Sequence, residues 1–282
     1  DYAGKPLVFV GTVGVMPKKL PNEQETSGVQ KKVNVGDHIF MVGGAIGADG
    51  IHGATFSSLE LNENSPATAV QIGDPITQKR MMDFLLEARN LGLFSCVTDN
   101  GAGGLSSSVG EMATLSGGAL LDLSKTPTKY PNLKSWELMI SESQERMLII
   151  ANEKNLSKIN DIFKKWDLEY AIIGKTNNSS KYIVYNNSNI IYSDNIINLD
   201  SPEDYINIPK KIHKKVDDIE LFKIKNPKLW TIYDSTVGNR TLKGPDKPGH
   251  YAILDIYEVK KQLILTWGES FDICYDKMKL FE

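Results

Sequence analysis

The stretch DNGAGGLSSS (Asp99–Ser108) sets one carboxylate just ahead of Gly101, Gly103 and Gly104, then three serines. It follows FSCVT, an apolar run that reads as a short buried strand ending at Asp99. In layered α/β sheets, ligands collect at the carboxyl ends of strands. Glycines let backbone N–H groups approach an anion without a side chain in the way. The helix expected from Gly104 offers its N-terminus to the same anion. A carboxylate beside such a nest can hold Mg2+ that bridges to phosphate. The same aspartate also suits a turn or a helix cap, and the local pattern leaves both open.

Three further junctions have the same polar, glycine-rich character. GGAIGADGIHGATFSS (Gly43–Ser58) is rich in glycine but lacks the GK[ST] of a phosphate-binding P-loop and the spacing of the dinucleotide fingerprint. Its His52 reads as a hydrogen-bonded loop residue or a catalytic one. His38, His213 and His250 have no carboxylate or serine pattern that suggests a triad. SESQERM (Ser141–Met147) concentrates Glu142, Ser143, Gln144 and Glu145 where a helix should give way to a strand. Such a set of donors and acceptors could recognise an amide or a ribose, or simply form a polar turn. VQIGDP (Val70–Pro75) repeats the theme with Gln71 and Asp74 just before a helix.

Elements of the right kind lie between these junctions. Strands are expected at Pro6–Met16, His38–Gly44, Phe94–Asp99, from Ala119, across RMLIIAN and across LEYAIIGK. Helices are expected at Pro75–Gly92, with Met81, Leu85 and Ala88 inward, at Gly104–Gly118, at SWELMIS, and at LSKINDIFKKWD, with Ile159, Ile162, Phe163 and Trp166 inward. This alternation predicts a layered α/β or α+β fold. Short strands and loops follow from about Lys181, with a connector at SPEDYINIPKK. A hairpin is expected between His250–Val259 and Lys261–Trp267, turning at Lys260–Lys261.

Bulk properties narrow the function. The 282 residues can bury a substantial core. A net charge of -3 argues against a nucleic-acid partner held by phosphate contacts, and the Lys210–Lys215 run reads as a solvated segment. No window of about 18 apolar residues suggests a membrane span, and no signal peptide is evident. Cys96 and Cys274 are too few for a disulfide framework or a cysteine-rich zinc site and read as reduced thiols of a cytoplasmic protein. Eighteen of the 23 glycines fall in residues 1–150, which makes that half the better place to look for a site, with a contribution from the second half left open. The chain begins at Asp1 without a methionine and is expected to be an internal piece of a longer protein.

The order of the motifs is more specific than any one of them. GKPLVFVGTVGVM, GDHIFMVGGAIGADGIHGATFSS, VQIGDP, TDNGAGGLSSSVGEMA and WELMISESQERM follow one another as in phosphoribosylformylglycinamidine synthase, which the chain resembles over about residues 4–175. YDSTVGNRTLKGPD (Tyr233–Asp246) resembles the segment joining that family's two pseudo-repeated halves.

The resemblance implies a carboxy-terminal-type domain of the aminoimidazole ribonucleotide synthetase-like superfamily over residues 33–190. Residues 1–32 would end a preceding ATP-binding-type domain, and 191–282 would form a connector and the opening strands of the second half. It implies an ATP-dependent ligase of purine biosynthesis that converts formylglycinamide ribonucleotide to its amidine with glutamine-derived ammonia. By position, Gln71, Glu142, Ser143 and Gln144 would bind substrate and Asp99 would bind Mg2+, while the glycines leave room for phosphate. The family's catalytic histidine falls upstream of Asp1, so this chain by itself is expected not to turn over. Implied partners are a glutaminase subunit or domain and a small accessory subunit, with a homodimer left open. The alternatives are a stand-alone ligand- or partner-binding domain, or a related enzyme such as aminoimidazole ribonucleotide synthetase or selenophosphate synthetase.

Overall fold

A computed structural model of the chain describes residues 14–18, 31–51, 73–199, 236–244, 247 and 251–266. The chain divides into two units, Asp1–Glu203 and Asp204–Glu282. Most of the strand expected at Pro6–Met16 and the connector at SPEDYINIPKK lie outside the described residues.

The first unit is built on a seven-stranded sheet. Its strands are β1 (His38–Gly43), β2 (Cys96–Asp99), β3 (Ala119–Asp122), β4 (Arg146–Ala151), β5 (Tyr170–Thr176), β6 (Lys181–Asn186) and β7 (Asn189–Asn195), in the order β2-β4-β1-β5-β3-β6-β7. Every pairing is antiparallel except β3 with β6. The helices are α1 (Pro75–Asn90), α2 (Gly104–Ser116), α3 (Ser135–Ile140) and α4 (Leu156–Trp166). Strand–helix alternation therefore produces an α+β sheet, because helix-linked strands are separated by an antiparallel neighbour. Thus β4 lies between β1 and β2, and β1 lies between β4 and β5.

β1 shows how the layers form. Side chains along a strand alternate between faces. Ile39 and Met41 join a core with Leu105, Val109 and Met112 of α2 and Leu138 of α3. Phe40 and Val42 join the opposite core, with Met81, Phe84 and Ala88 of α1 and Ile159, Ile162 and Phe163 of α4. The sheet is thus the middle of three layers. On the second face Phe163 stacks on both Phe84 and Tyr170, with ring centroids 4.1 and 3.9 Å apart.

Local sequence explains the helix limits. Asp74 caps α1, accepting from the N–H groups of Ile76 (3.0 Å) and Thr77 (3.3 Å), and Pro75 occupies the first turn. The buried stripe of α1 is Met81, Phe84 and Ala88, whereas Leu85, expected inward, is only half-buried. Leu85 nonetheless packs against the same core, beside Phe84, which stacks on Phe163. Gly117, at a left-handed φ of 90°, ends α2.

β7 pairs only with β6 and forms one edge of the sheet. The sheet therefore runs past residue 190, where the sequence reading placed a boundary. Beyond β7, the Ile196 N–H donates to the Ser180 carbonyl at 3.1 Å.

The second unit contains β8 (Thr241–Lys243), β9 (Tyr251–Ile256) and β10 (Lys261–Thr266) in an antiparallel sheet of order β10-β9-β8. The expected hairpin is present. Its connection is a 3-10 turn at Tyr257–Val259, followed by Lys260 at φ 52°, so β9 stops sooner than its apolar run suggests.

Among the described residues, no helix is long and apolar enough to cross a membrane.

Candidate functional site

The sheet topology brings the glycine-rich junctions together. Gly43 and Asp99 end β1 and β2, and Arg146 begins the antiparallel β4 that lies between them. Gly43 faces Arg146 in the register, and Asp99 faces Met147. Loops 43–51, 99–104 and 141–146 therefore emerge at one end of the sheet.

Hydrogen bonds tie the loops to one another. The Gly44 N–H donates to the Glu145 carbonyl at 3.0 Å, and the Glu142 N–H to the Asp49 carbonyl at 2.9 Å. The Asn100 N–H donates to the Arg146 carbonyl at 3.3 Å. A Cβ on Gly43, which sits at φ 97°, would run into the Glu145 carbonyl, so that approach requires glycine. The segment after β3 covers the first loop. Ala48 N–H donates to the Tyr130 hydroxyl at 2.7 Å, and the Lys129 ammonium meets Asp49 at 2.7 Å.

Asp99 is exposed at the end of β2. Its Oδ1 accepts from the Gly101 N–H at 2.8 Å, closing an Asx-type turn. A Cβ on Gly101 would lie 2.6 Å from that oxygen. The turn and metal roles are compatible, because a carboxylate has lone pairs to spare. Among the described residues, no three His, Cys, Asp or Glu side chains cluster to hold a metal ion. A lone exposed carboxylate still suits Mg2+, which takes one or two carboxylates and completes its shell with water and substrate phosphate.

The glycines after Asp99 do more than leave space. Gly103 takes φ 78° to start α2. Gly104, at φ 52°, abuts the end of α3: a Cβ there would sit 2.9 Å from the Met139 carbonyl and closer still to that of Ser141. The room expected there for a ligand is filled by protein backbone, which fixes α2 against the 141–146 loop.

That loop presents its residues unequally. Gln144 is exposed and Glu142 half-buried, while Ser143 is buried. The Ser143 hydroxyl accepts from the Gly47 N–H at 2.9 Å, meets the Ser141 hydroxyl at 3.1 Å and donates to Asp49. Partial burial would raise the Asp49 carboxyl. The Lys129 ammonium and the Ser143 hydroxyl outweigh it and hold Asp49 below the usual carboxylate range.

Arg146 lies beneath the loop, 3% exposed. Its Nε donates to the Ser143 carbonyl at 2.8 Å, and one Nη donates to the Ser141 carbonyl at 2.6 Å and, weakly, to that of Asn100 at 3.5 Å. Burial pulls the guanidinium down to about 10, opposed by the charges of Asp49 and Glu142, so it remains protonated at neutral pH.

Of the residues singled out in the sequence, Asp99, Glu142, Ser143 and Gln144 come together at this end. Gln71 and His52 lie outside the described residues. Asp74 is committed to capping α1, with both carboxylate oxygens engaged. Asp49, Lys129, Tyr130 and Arg146 were missed. The one available signal was a charged residue opening the otherwise apolar strand RMLIIA. A cleft of about 270 Å³ at the opposite end of the sheet includes Asp37, but that carboxylate is already bonded by Asn34 and Asn152.

Residues 34–186 match the family model for the C-terminal domain of AIR synthase related proteins. The phosphoribosylformylglycinamidine synthase subunit PurL of Thermococcus sibiricus is 42% identical over 183 residues, 64% of this chain and 25% of that protein. The same subunit of Thermoplasma volcanium is 35% identical over 266 residues, 87% of this chain and 34% of that protein. The chain thus spans about a quarter to a third of these curated relatives.

Among solved structures, T. maritima PurL complexed with FGAR superposes with a TM-score of 0.65 at 30% identity, covering 80% of this chain and 38% of that one. T. maritima PurL complexed with ATP gives 0.64 at 26% identity, covering 80% and 36%. PurLQS from Thermotoga maritima gives 0.67 at 27%, covering 84% and 38%.

Proposed function

This chain belongs to the AIR synthase related protein family through that family's C-terminal domain, and from that premise we propose that it forms part of a phosphoribosylformylglycinamidine synthase. The observation that carries the reading is the meeting of three loops at one sheet end, in the domain that matches the family. There the fold holds an exposed Asp99 and presents Glu142 and Gln144 from a loop secured on its inner side. Relatives named as this synthase, and neighbours complexed with FGAR and with ATP, support it.

The proposed reaction is an ATP-dependent ligation. The amide oxygen of formylglycinamide ribonucleotide takes the γ-phosphoryl group of ATP, and ADP leaves. Ammonia adds to the activated carbon and phosphate departs, leaving the amidine. Mg2+ would neutralise charge on the transferred phosphoryl group. Asp99 would hold that ion. Glu142 and Gln144, with Gln71, would bind the amide or ribose portion, and Ser143 would act through its hold on Gly47 and Asp49. Ammonia would come from a glutaminase subunit or domain of a cytoplasmic assembly, with a small accessory subunit, in keeping with the PurLQS neighbour. The family domain would span residues 33–190, with residues 1–32 closing a preceding domain and residues 191–282 forming the connector and the opening strands of the following half.

The test uses the longer synthase containing this chain, with an ammonium salt as nitrogen donor so that no glutaminase is required. Asp99→Ala and Gln144→Ala should each lower kcat/KM for ATP-dependent amidine formation on the order of 10²-fold. Unchanged rates in both variants would overturn the site assignment.

A further inference from the structure

We propose that Arg146 is a positioning residue that sets the Glu142–Gln144 loop and couples it to the Asp99 turn. This inference rests on the synthase reading given above.

The geometry is that of a clamp. The Ser141 and Ser143 carbonyls flank Glu142, and one guanidinium bonds both, at 2.6 and 2.8 Å. From the other side, the Glu142 N–H is held by the Asp49 carbonyl at 2.9 Å. The Ser141 and Ser143 carbonyls and the Glu142 N–H are therefore bonded inward, while Glu142 is half-buried and Gln144 exposed. The same arginine touches the Asn100 carbonyl, while its own carbonyl accepts from the Asn100 N–H. Asn100 adjoins Asp99, so one side chain links the proposed substrate loop to the proposed metal turn.

Stability alone gives a poor account of this arrangement. A buried guanidinium costs desolvation energy, and an apolar residue of similar volume is often as good or better. One of its donors, Nη1, is buried without a partner among the described residues. Arginine bonds the two carbonyls on either side of Glu142 from a rigid planar fork, whereas a lysine ammonium offers only rotatable donors on a flexible stem.

The test is steady-state kinetics of Arg146→Lys and Arg146→Met in the longer synthase, with ammonium as nitrogen donor and urea unfolding run in parallel. Lysine keeps the charge but loses the fork. Displacing the loop by about 1 Å should lower kcat/KM for formylglycinamide ribonucleotide on the order of 10²-fold in both variants, with a raised KM for that substrate and KM for ammonia unchanged. A lysine variant with wild-type KM overturns the proposal, because charge alone then suffices. Equal rises in KM for both substrates overturn it as well. If Arg146→Met fails to fold, the lysine variant decides. If both fail to fold, the residue is purely structural and the proposal falls. An inactive unsubstituted enzyme refutes the synthase reading instead, so the two failures are distinguishable.

Discussion

Replacing Gly104 with alanine tests how the site is assembled. Gly104 opens α2 at φ 52°, with its α-carbon against the carbonyls of Met139 and Ser141. A Cβ there would stand 2.9 Å from the first and nearer the second, and both are backbone atoms that no rotamer change can move. A left-handed conformation costs a residue with a Cβ roughly 1–2 kcal/mol. Overpacking a buried contact adds about 1–3 kcal/mol. Destabilisation of about 2–5 kcal/mol is therefore expected. For a unit of this size it should lower Tm by roughly 4–20 °C. Gly110→Ala is the control: it lies within the same helix, and nothing stands within 4 Å of its added methyl. It should stabilise by up to about 1 kcal/mol, through helix propensity. Thermal melts followed by circular dichroism on the 282-residue chain give both values. A Gly104→Ala change within about 0.5 kcal/mol of the parent, the range of an ordinary surface substitution, would refute the packing account.

Two further perturbations probe each unit by itself. Phe163→Ala removes the ring that stacks on both Phe84 and Tyr170 and should cost about 3–5 kcal/mol in urea unfolding; a loss under about 1 kcal/mol would show that the second core does not depend on it. In the second unit, paired hydrogen bonds from Arg240, at 2.5 and 2.9 Å, hold the Glu258 carboxyl down to about 2. A lowered carboxyl stabilises fully above its ordinary value near 4.5 and loses that contribution as pH falls toward about 2. The pair is exposed, so salt should weaken it. An NMR titration of Glu258 with a midpoint at 4 or higher would contradict the pairing.

Much of the architecture was legible because local rules act on adjacent residues. The short apolar run of HIFMVG, the Asp74-Pro75 start of α1, the 3.6-residue stripe of α4 and the glycine that ends α2 all report their element within a few residues. Motif order carried the family resemblance, and Asp99, Glu142, Ser143 and Gln144 could be named from it. Strand order could not be read, since it depends on which strands pair across the chain. That pairing made the sheet mostly antiparallel and placed the amino end of β4 between the carboxyl ends of β1 and β2.

The sequence by itself thus determined the elements, the polar junctions between them and the class of chemistry they suit. Only the tertiary structure decided which junctions meet and which way each side chain faces. It turned Ser143 inward onto Gly47 and Asp49, filled the space beside Gly104 with the backbone of α3, and buried Arg146 beneath the loop it bonds. The partners in these contacts lie between 3 and 96 positions apart in the chain, and most are far outside one helical turn or one hairpin. Such contacts arise from sheet register and helix packing, which a local pattern does not encode.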